Sequence, residues 1–116
     1  MGVLDGKAAI VTGSARGIGR ATAELLAEQA SNEIAGETAS FAGDLTKDGV
    51  PDRLVETAVD AFGKLDIVVN NAGYTWDAPL HKMSDEQFQA MLDIHNVVPF
   101  RVLRAAAPHM REPAKK

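Results

Sequence analysis

The sequence predicts an α/β fold built on a parallel, doubly wound sheet, and three observations predict it. Short apolar runs of strand length alternate with segments of helical periodicity along the 116 residues. The first apolar run, residues 8–11, leads into a glycine-rich turn that opens a helix. The later run 66–69 is another apolar strand, and it ends in two carboxamides, a small residue and a glycine.

The elements follow in order. Residues 8–11 read as the first strand. Ile18, Ala21, Leu25 and Leu26 form one apolar stripe, which predicts a helix over 17–29. A short strand is expected over 39–42. Residues 51–62 read as a helix: Pro51 suits the first turn, Leu54, Val55, Ala58 and Phe62 make the stripe, and Gly63 ends it. Residues 65–70 form the next strand. Ser84-Asp85-Glu86-Gln87 is a capping box that opens a long helix, expected over 84–107. Phe88, Met91, Leu92, His95 and Leu103 lie near one face of it, and Ile94, Val97, Val98 and Val102 spread onto others. A helix apolar on more than one side is buried on more than one side. Pro99 within it predicts a kink or local break.

The turn Gly13-Ser14-Ala15-Arg16-Gly17-Ile18-Gly19 places free backbone N–H groups and a positive helix end where a phosphate can sit. Gly13 allows the tight turn, Gly17 the close approach of a pyrophosphate, and Gly19 the packing of helix on strand. No Gly-Lys-Ser/Thr follows, so this is not a P-loop. An ordinary strand-to-helix turn that binds nothing is the alternative reading.

Thr12-Gly13-x-x-x-Gly17-x-Gly19, followed by Asn70-Asn71-Ala72-Gly73, resembles the short-chain dehydrogenase/reductase family, and within it the 3-oxoacyl-carrier-protein reductases and their relatives. The resemblance implies a Rossmann-type fold that binds NAD or NADP. It implies a cofactor site drawn from Gly13, Ser14, Arg16, Gly17, Ile18, Gly19, Asn71, Ala72 and Gly73. Asp44 and Leu45 match the family's residues at the adenine end of the cofactor; an Asp there also reads as a cap or turn. Asn96 matches the Asn of the family's long helix that supports a proton-relay water, although a surface Asn would look the same. Arg16 has two readings, a partner for a 2′-phosphate or a solvated loop residue. The implied activity is hydride transfer between nicotinamide and an alcohol or ketone, in a homo-oligomer paired through the 84–107 helix. The stretch between Gly73 and Ser84, with Tyr74 and Trp76, would lie beside the substrate.

Two departures qualify the resemblance. The family's active site needs a Ser and a Tyr-x-x-x-Lys, in which Tyr is the general acid/base and Lys lowers its pKa. Tyr74 is the sole tyrosine, Ala78 stands four residues on, and no serine matches. The chain therefore reads as the amino-terminal part, residues 1–116, of a single Rossmann-type domain whose carboxyl-terminal half is absent. The alternative is a non-catalytic nucleotide-binding or structural fragment. The family also has a strand directly after the first helix, ending in the residue that reads the cofactor ribose. Here residues 23–29 run into 30–36 with no apolar β-branched run, and Glu33, at about the usual spacing from the first glycine, has a helical setting. We expect residues to be missing between Gln29 and Glu33, with the strands of Val11 and Phe41 roughly 10 Å apart across an empty slot. A true deletion would instead run 17–35 as one helix capped by Gly36 and pair the two strands directly.

Composition narrows the function class. The net charge is −4, the hydrophobic share 46%, and there is no cysteine, which excludes disulfides and thiolate metal sites. His81, His95 and His109 are scattered, so no metal is expected. Basic residues form no block beyond the final two lysines, against a nucleic-acid partner. Apolar runs are strand-sized, and a cytoplasmic protein without a membrane span is expected.

Overall fold

A computed structural model describes residues 6–13, 17–30 and 41–114. Its centre is a parallel pair of strands, β1 (Ala9–Val11) and β2 (Ile67–Val69), with Ala9 opposite Ile67, Ile10 opposite Val68 and Val11 opposite Val69. Parallel neighbours require a crossover connection, which the intervening helices supply. These are two of the three runs read as strands from the sequence, each shorter than expected.

A carboxylate fixes where the pair begins. Ala8 N–H donates to Asp66 Oδ2 at 2.9 Å, and the N–H groups of Asp66 and Ile67 donate back to the Ala8 carbonyl at 2.8 and 3.0 Å. Lys64 Nζ lies 3.2 Å from the same Asp66 oxygen. The Ala8 N–H, with help from Lys64, holds the Asp66 carboxyl below the usual carboxylate range. A carboxyl whose pKa is lower in the folded state contributes stability above its unfolded value, near 3.9, and loses it as pH falls through the folded value. Asp66→Asn is therefore expected to flatten the fall in melting temperature below about pH 4. Acid melting curves that stay parallel for the two proteins would contradict this.

α1 (Gly17–Ala30) packs onto β1. Its apolar stripe is largely uncovered: Ile18 is 80% and Leu25 57% exposed, and only Leu26 is half-buried. The expected interruption between Gln29 and Glu33, and Gly36 as an alternative cap, involve residues 31–40, outside the described residues. So do Ala39 and Ser40 of the expected third strand. Phe41 and Ala42 are described and form no strand. The Phe41 ring instead lies against Gly43, where the chain bends. The separation expected between the Val11 and Phe41 strands therefore has no second strand to be measured to among the described residues.

α2 (Val50–Phe62) has the bounds that its punctuation predicts. Pro51 sits in the first turn, and Gly63, at φ +77°, donates its N–H to the Val59 carbonyl at 2.7 Å. The face carrying Val50, Pro51, Val55 and Ala58 is buried. It packs along α4 (Val98–Ala114) and against β1. Ile10, Val55, Ala58, Leu65 and Ala106 form one buried cluster, and Ile94, Val98 and Val102 a second beside Leu54 and Val68.

The long helix expected over 84–107 is two helices joined in line. α3 (Asp85–Leu92) opens on the capping box: Ser84 Oγ accepts the Gln87 N–H, and Gln87 Oε1 accepts the Ser84 N–H, each at 3.1 Å. A π-helical turn (Asp93–Val97) connects it to α4, which continues to Ala114. Pro99 accounts for the turn. It brings no N–H, and its ring crowds the carbonyl four residues back. The Val98 N–H just before it reaches back five residues to the Asp93 carbonyl. The expected disruption is thus a widened turn ahead of the proline, and helix resumes after it. Of the several apolar sides expected to be buried, one is fully covered among the described residues. Ile94, Val98, Val102 and Ala106, at four-residue spacing, face the core, while Phe88, Phe100 and Leu103 are 55%, 58% and 49% exposed.

Candidate functional site

β1 and β2 end side by side, so the glycine turn and the Asn-Asn-Ala-Gly segment emerge at one edge. Thr12 ties them together. It is 5% exposed, and its N–H donates to the Val69 carbonyl at 3.1 Å. Its Oγ1 accepts the N–H groups of Asn71 and Ala72, both at 2.9 Å. One buried hydroxyl thus satisfies two backbone donors that the ladder leaves behind. Asn71 returns the contact, its Nδ2 donating to the Gly13 carbonyl at 3.3 Å.

The glycines divide into packing and open positions. A Cβ on Gly19 would collide with the Gly13 carbonyl oxygen and with Asn71 Nδ2, and would lie 2.9 Å from the Gly13 carbonyl carbon. Gly19 is therefore where α1 presses on the turn. A Cβ on Gly13, at φ +65°, would lie 2.9 Å from the Ala72 Cα. Gly17 differs. Its φ is +63°, yet among the described residues a Cβ there would meet nothing within 4 Å. Among those residues, space opens in front of it, at the first residue of α1, beside the exposed Ile18. Such a concave backbone at a helix start suits a phosphate: a Cβ would fill the space that the anion needs, and the helix N–H groups face it. Ser14 and Arg16 lie outside the described residues.

The rim beyond Ala72 is held by a residue that the sequence pattern does not place there. The His95 ring packs on Gly73, where a Cβ would lie 2.7 Å from its Cε1. His95 Nε2 is 2.9 Å from the Tyr74 carbonyl oxygen. The imidazole, in the π-helical turn, thereby joins the long helix to the end of β2. Asn96, the expected proton-relay residue, is exposed, and its side chain makes no hydrogen bond among the described residues. The one sequence signal for His95 is its position beside Asn96, with a glycine in the facing segment. Thr12 belongs to the glycine motif, but its residue type alone does not mark it as the group that joins the two strands.

Asp44 is exposed and shapes its own turn. Its Oδ1 accepts the Thr46 hydroxyl at 2.6 Å and the Thr46 N–H at 2.9 Å, and these bonds hold its carboxyl below the usual range. Leu45 is half-buried against the Ile94 cluster. Tyr74 and Trp76 are 48% and 43% exposed. Among the described residues no group of His, Asp and Glu side chains could hold a metal, and no helix is long and apolar enough to cross a membrane.

Comparison with known proteins bears on the same segments. The chain is 37% identical over 136 positions to a hydroxyacyl-CoA dehydrogenase of Mycobacterium tuberculosis, a match that takes in 97% of this chain and 43% of that protein. It is 33% identical to a 3-oxoacyl-[acyl-carrier-protein] reductase of Thermotoga maritima, with 92% of this chain and 51% of that one covered. The chain spans about half the length of the relatives it matches. A metagenomic short-chain oxidoreductase solved in complex with NADP superposes with a TM-score of 0.85 at 32% identity, over 95% of this chain and 59% of that one. A short chain dehydrogenase from Mycobacterium avium superposes with a TM-score of 0.89 at 31% identity, over 98% and 49%. The two-stranded parallel sheet with its helices is therefore an incomplete Rossmann fold. The short chain dehydrogenase model itself matches residues 27–116, and the chain belongs to that family.

Proposed function

We propose that this chain is the dinucleotide-holding part, residues 1–116, of a single NAD(P)-binding domain in an oxidoreductase that interconverts an alcohol and a ketone. The observation that carries the reading is the positive-φ backbone at Gly17, open among the described residues, at the start of the helix that Gly19 packs onto the Gly13 turn. The pyrophosphate of NAD or NADP would lie against Gly13, Gly17 and Gly19, with Ser14, Arg16 and Ile18 around it. Asn71, Ala72 and Gly73 would border the nicotinamide half, and Asp44 and Leu45 the adenine. When bound, the nicotinamide supplies or accepts the hydride.

No residue pair in these 116 residues supplies the proton. Tyr74 has Ala78 four positions on, and its carbonyl is engaged by His95. Asn96 remains the proposed support for a relay water in the complete site. The purified chain is expected to bind cofactor without turning over a panel of alcohols and ketones. A cytoplasmic setting and pairing of copies through the long helix belong to the same reading, since Phe88, Phe100 and Leu103 leave one face of that helix uncovered.

Gly17→Val tests the site. Its φ costs about 1–2 kcal/mol, and among the described residues a Cβ at that position meets no neighbour. The variant is expected to remain folded by circular dichroism and to lose at least tenfold in NADH affinity by calorimetry. Unchanged affinity in the folded variant would rule out the assignment. Measurable turnover by the chain, above a mock preparation, would overturn its role as a holding part only.

A further inference from the structure

We infer that His95 is a positioning residue for the nicotinamide half of the cofactor, its ring fixing the Gly73–Tyr74 backbone against the long helix. The inference rests on the dinucleotide reading above, in which Asn71, Ala72 and Gly73 border that half. It adds a residue from a different element.

Three observations carry it. First, Thr12 holds the segment leaving β2 only as far as Ala72. Among the described residues, the contact of His95 Nε2 with the Tyr74 carbonyl, at 2.9 Å, is the one hydrogen bond that holds residues 73–78. Second, Gly73 does not have a positive φ, so its backbone conformation does not require glycine. What requires it is the ring: a Cβ there would lie 2.7 Å from His95 Cε1 and 3.3 Å from Nδ1. Third, His95 lies in the π-helical turn Asp93–Val97, next to the buried Ile94. Single π-helical turns inside α-helices recur at functional sites. This one carries an imidazole to the strand end beside the row of core positions.

The chemistry of the contact defines the role. A carbonyl oxygen only accepts, so Nε2 carries its proton and donates, in the neutral ring and in the charged one. The imidazole therefore acts through the Gly73–Tyr74 backbone and not on the reacting atoms. Loosening it frees the nicotinamide end of the site and leaves the Gly17 end untouched.

Calorimetric titration of the purified chain with NADH and with ADP-ribose, which has no nicotinamide, tests this. His95→Leu removes the donor. It is expected to weaken NADH about fivefold, the loss of one hydrogen bond, and to leave ADP-ribose within about twofold. His95→Gln returns an N–H donor at similar reach and is expected to recover most of the NADH affinity. Unchanged NADH affinity in His95→Leu, or equal weakening of both ligands, would overturn the inference. Weakening of both ligands by Gly17→Val would leave the dinucleotide site standing in either case. A second readout needs no substitution: the ¹⁵N signals of the His95 ring should shift with NADH and stay in place with ADP-ribose. Equal shifts with the two ligands would also overturn the inference. Binding of neither ligand by the unsubstituted chain would overturn the dinucleotide reading and this inference with it.

Discussion

Thr12→Val is expected to destabilise the chain by about 2 kcal/mol although valine has nearly the same shape. The Thr12 hydroxyl accepts the Asn71 and Ala72 N–H groups at the junction of the two strands. Asn71 retains a second acceptor, the Val69 carbonyl at 3.1 Å, so the Ala72 N–H is the donor left without a partner. Ala72 is half-buried, so its unsatisfied donor costs toward the low end of about 1–3 kcal/mol, and the lost second bond adds about 1 kcal/mol. A sheet of two strands among the described residues has little reserve against that loss. Thr12→Ser keeps the oxygen and is expected to recover most of the stability. Urea denaturation of the three proteins reads the difference. Equal midpoints for threonine and valine would show that the hydroxyl does not join the strands.

Gly19→Val should be the most damaging glycine substitution. Its Cβ would occupy the position of the Gly13 carbonyl oxygen, and that backbone is held by the turn on one side and by Asn71 on the other. Overpacking costs typically about 1–3 kcal/mol and more where backbone must move. α1 would be driven off β1, with loss of helical signal and a lower melting temperature. Gly17→Val is the control, two residues away in the same turn. It carries a φ strain that Gly19 does not, but no collision among the described residues, so it should lose binding while keeping its fold. If Gly17→Val and Gly19→Val melted together, the division into packing and open glycines would be wrong.

Positions governed by one-residue rules are legible in the amino-acid sequence. Ser84 with Gln87, Pro51 and Gly63 mark helix ends because capping groups and φ restrictions act locally. Gly13 and Gly19 are legible for the same reason. Features set by partners distant along the chain are not. Phe88 and Leu103 look like core residues by periodicity, yet Ile94, Val98, Val102 and Ala106 are the buried set, because only α2 and the sheet decide which face is covered. Pro99 announces a disturbance but not its form: a π-helical turn depends on the carbonyls five residues back. His95 sits one residue from the Asn that the motif suggests. Its contact with Gly73 and Tyr74 arises from the approach of a helix to a strand end, which spacing along the chain does not encode.

The central claim is that the edge where β1 and β2 end is a dinucleotide site. Titrating uniformly ¹⁵N-labelled chain with NADH, and following amide shifts by NMR, tests it most directly. The account predicts the largest perturbations at Gly13, Gly17, Ile18 and Gly19, with a second group at Asn71, Ala72, Gly73 and Tyr74. Small changes are predicted at Val55 and Val102 in the core. Perturbations confined to other surfaces, or none at millimolar NADH, would contradict it.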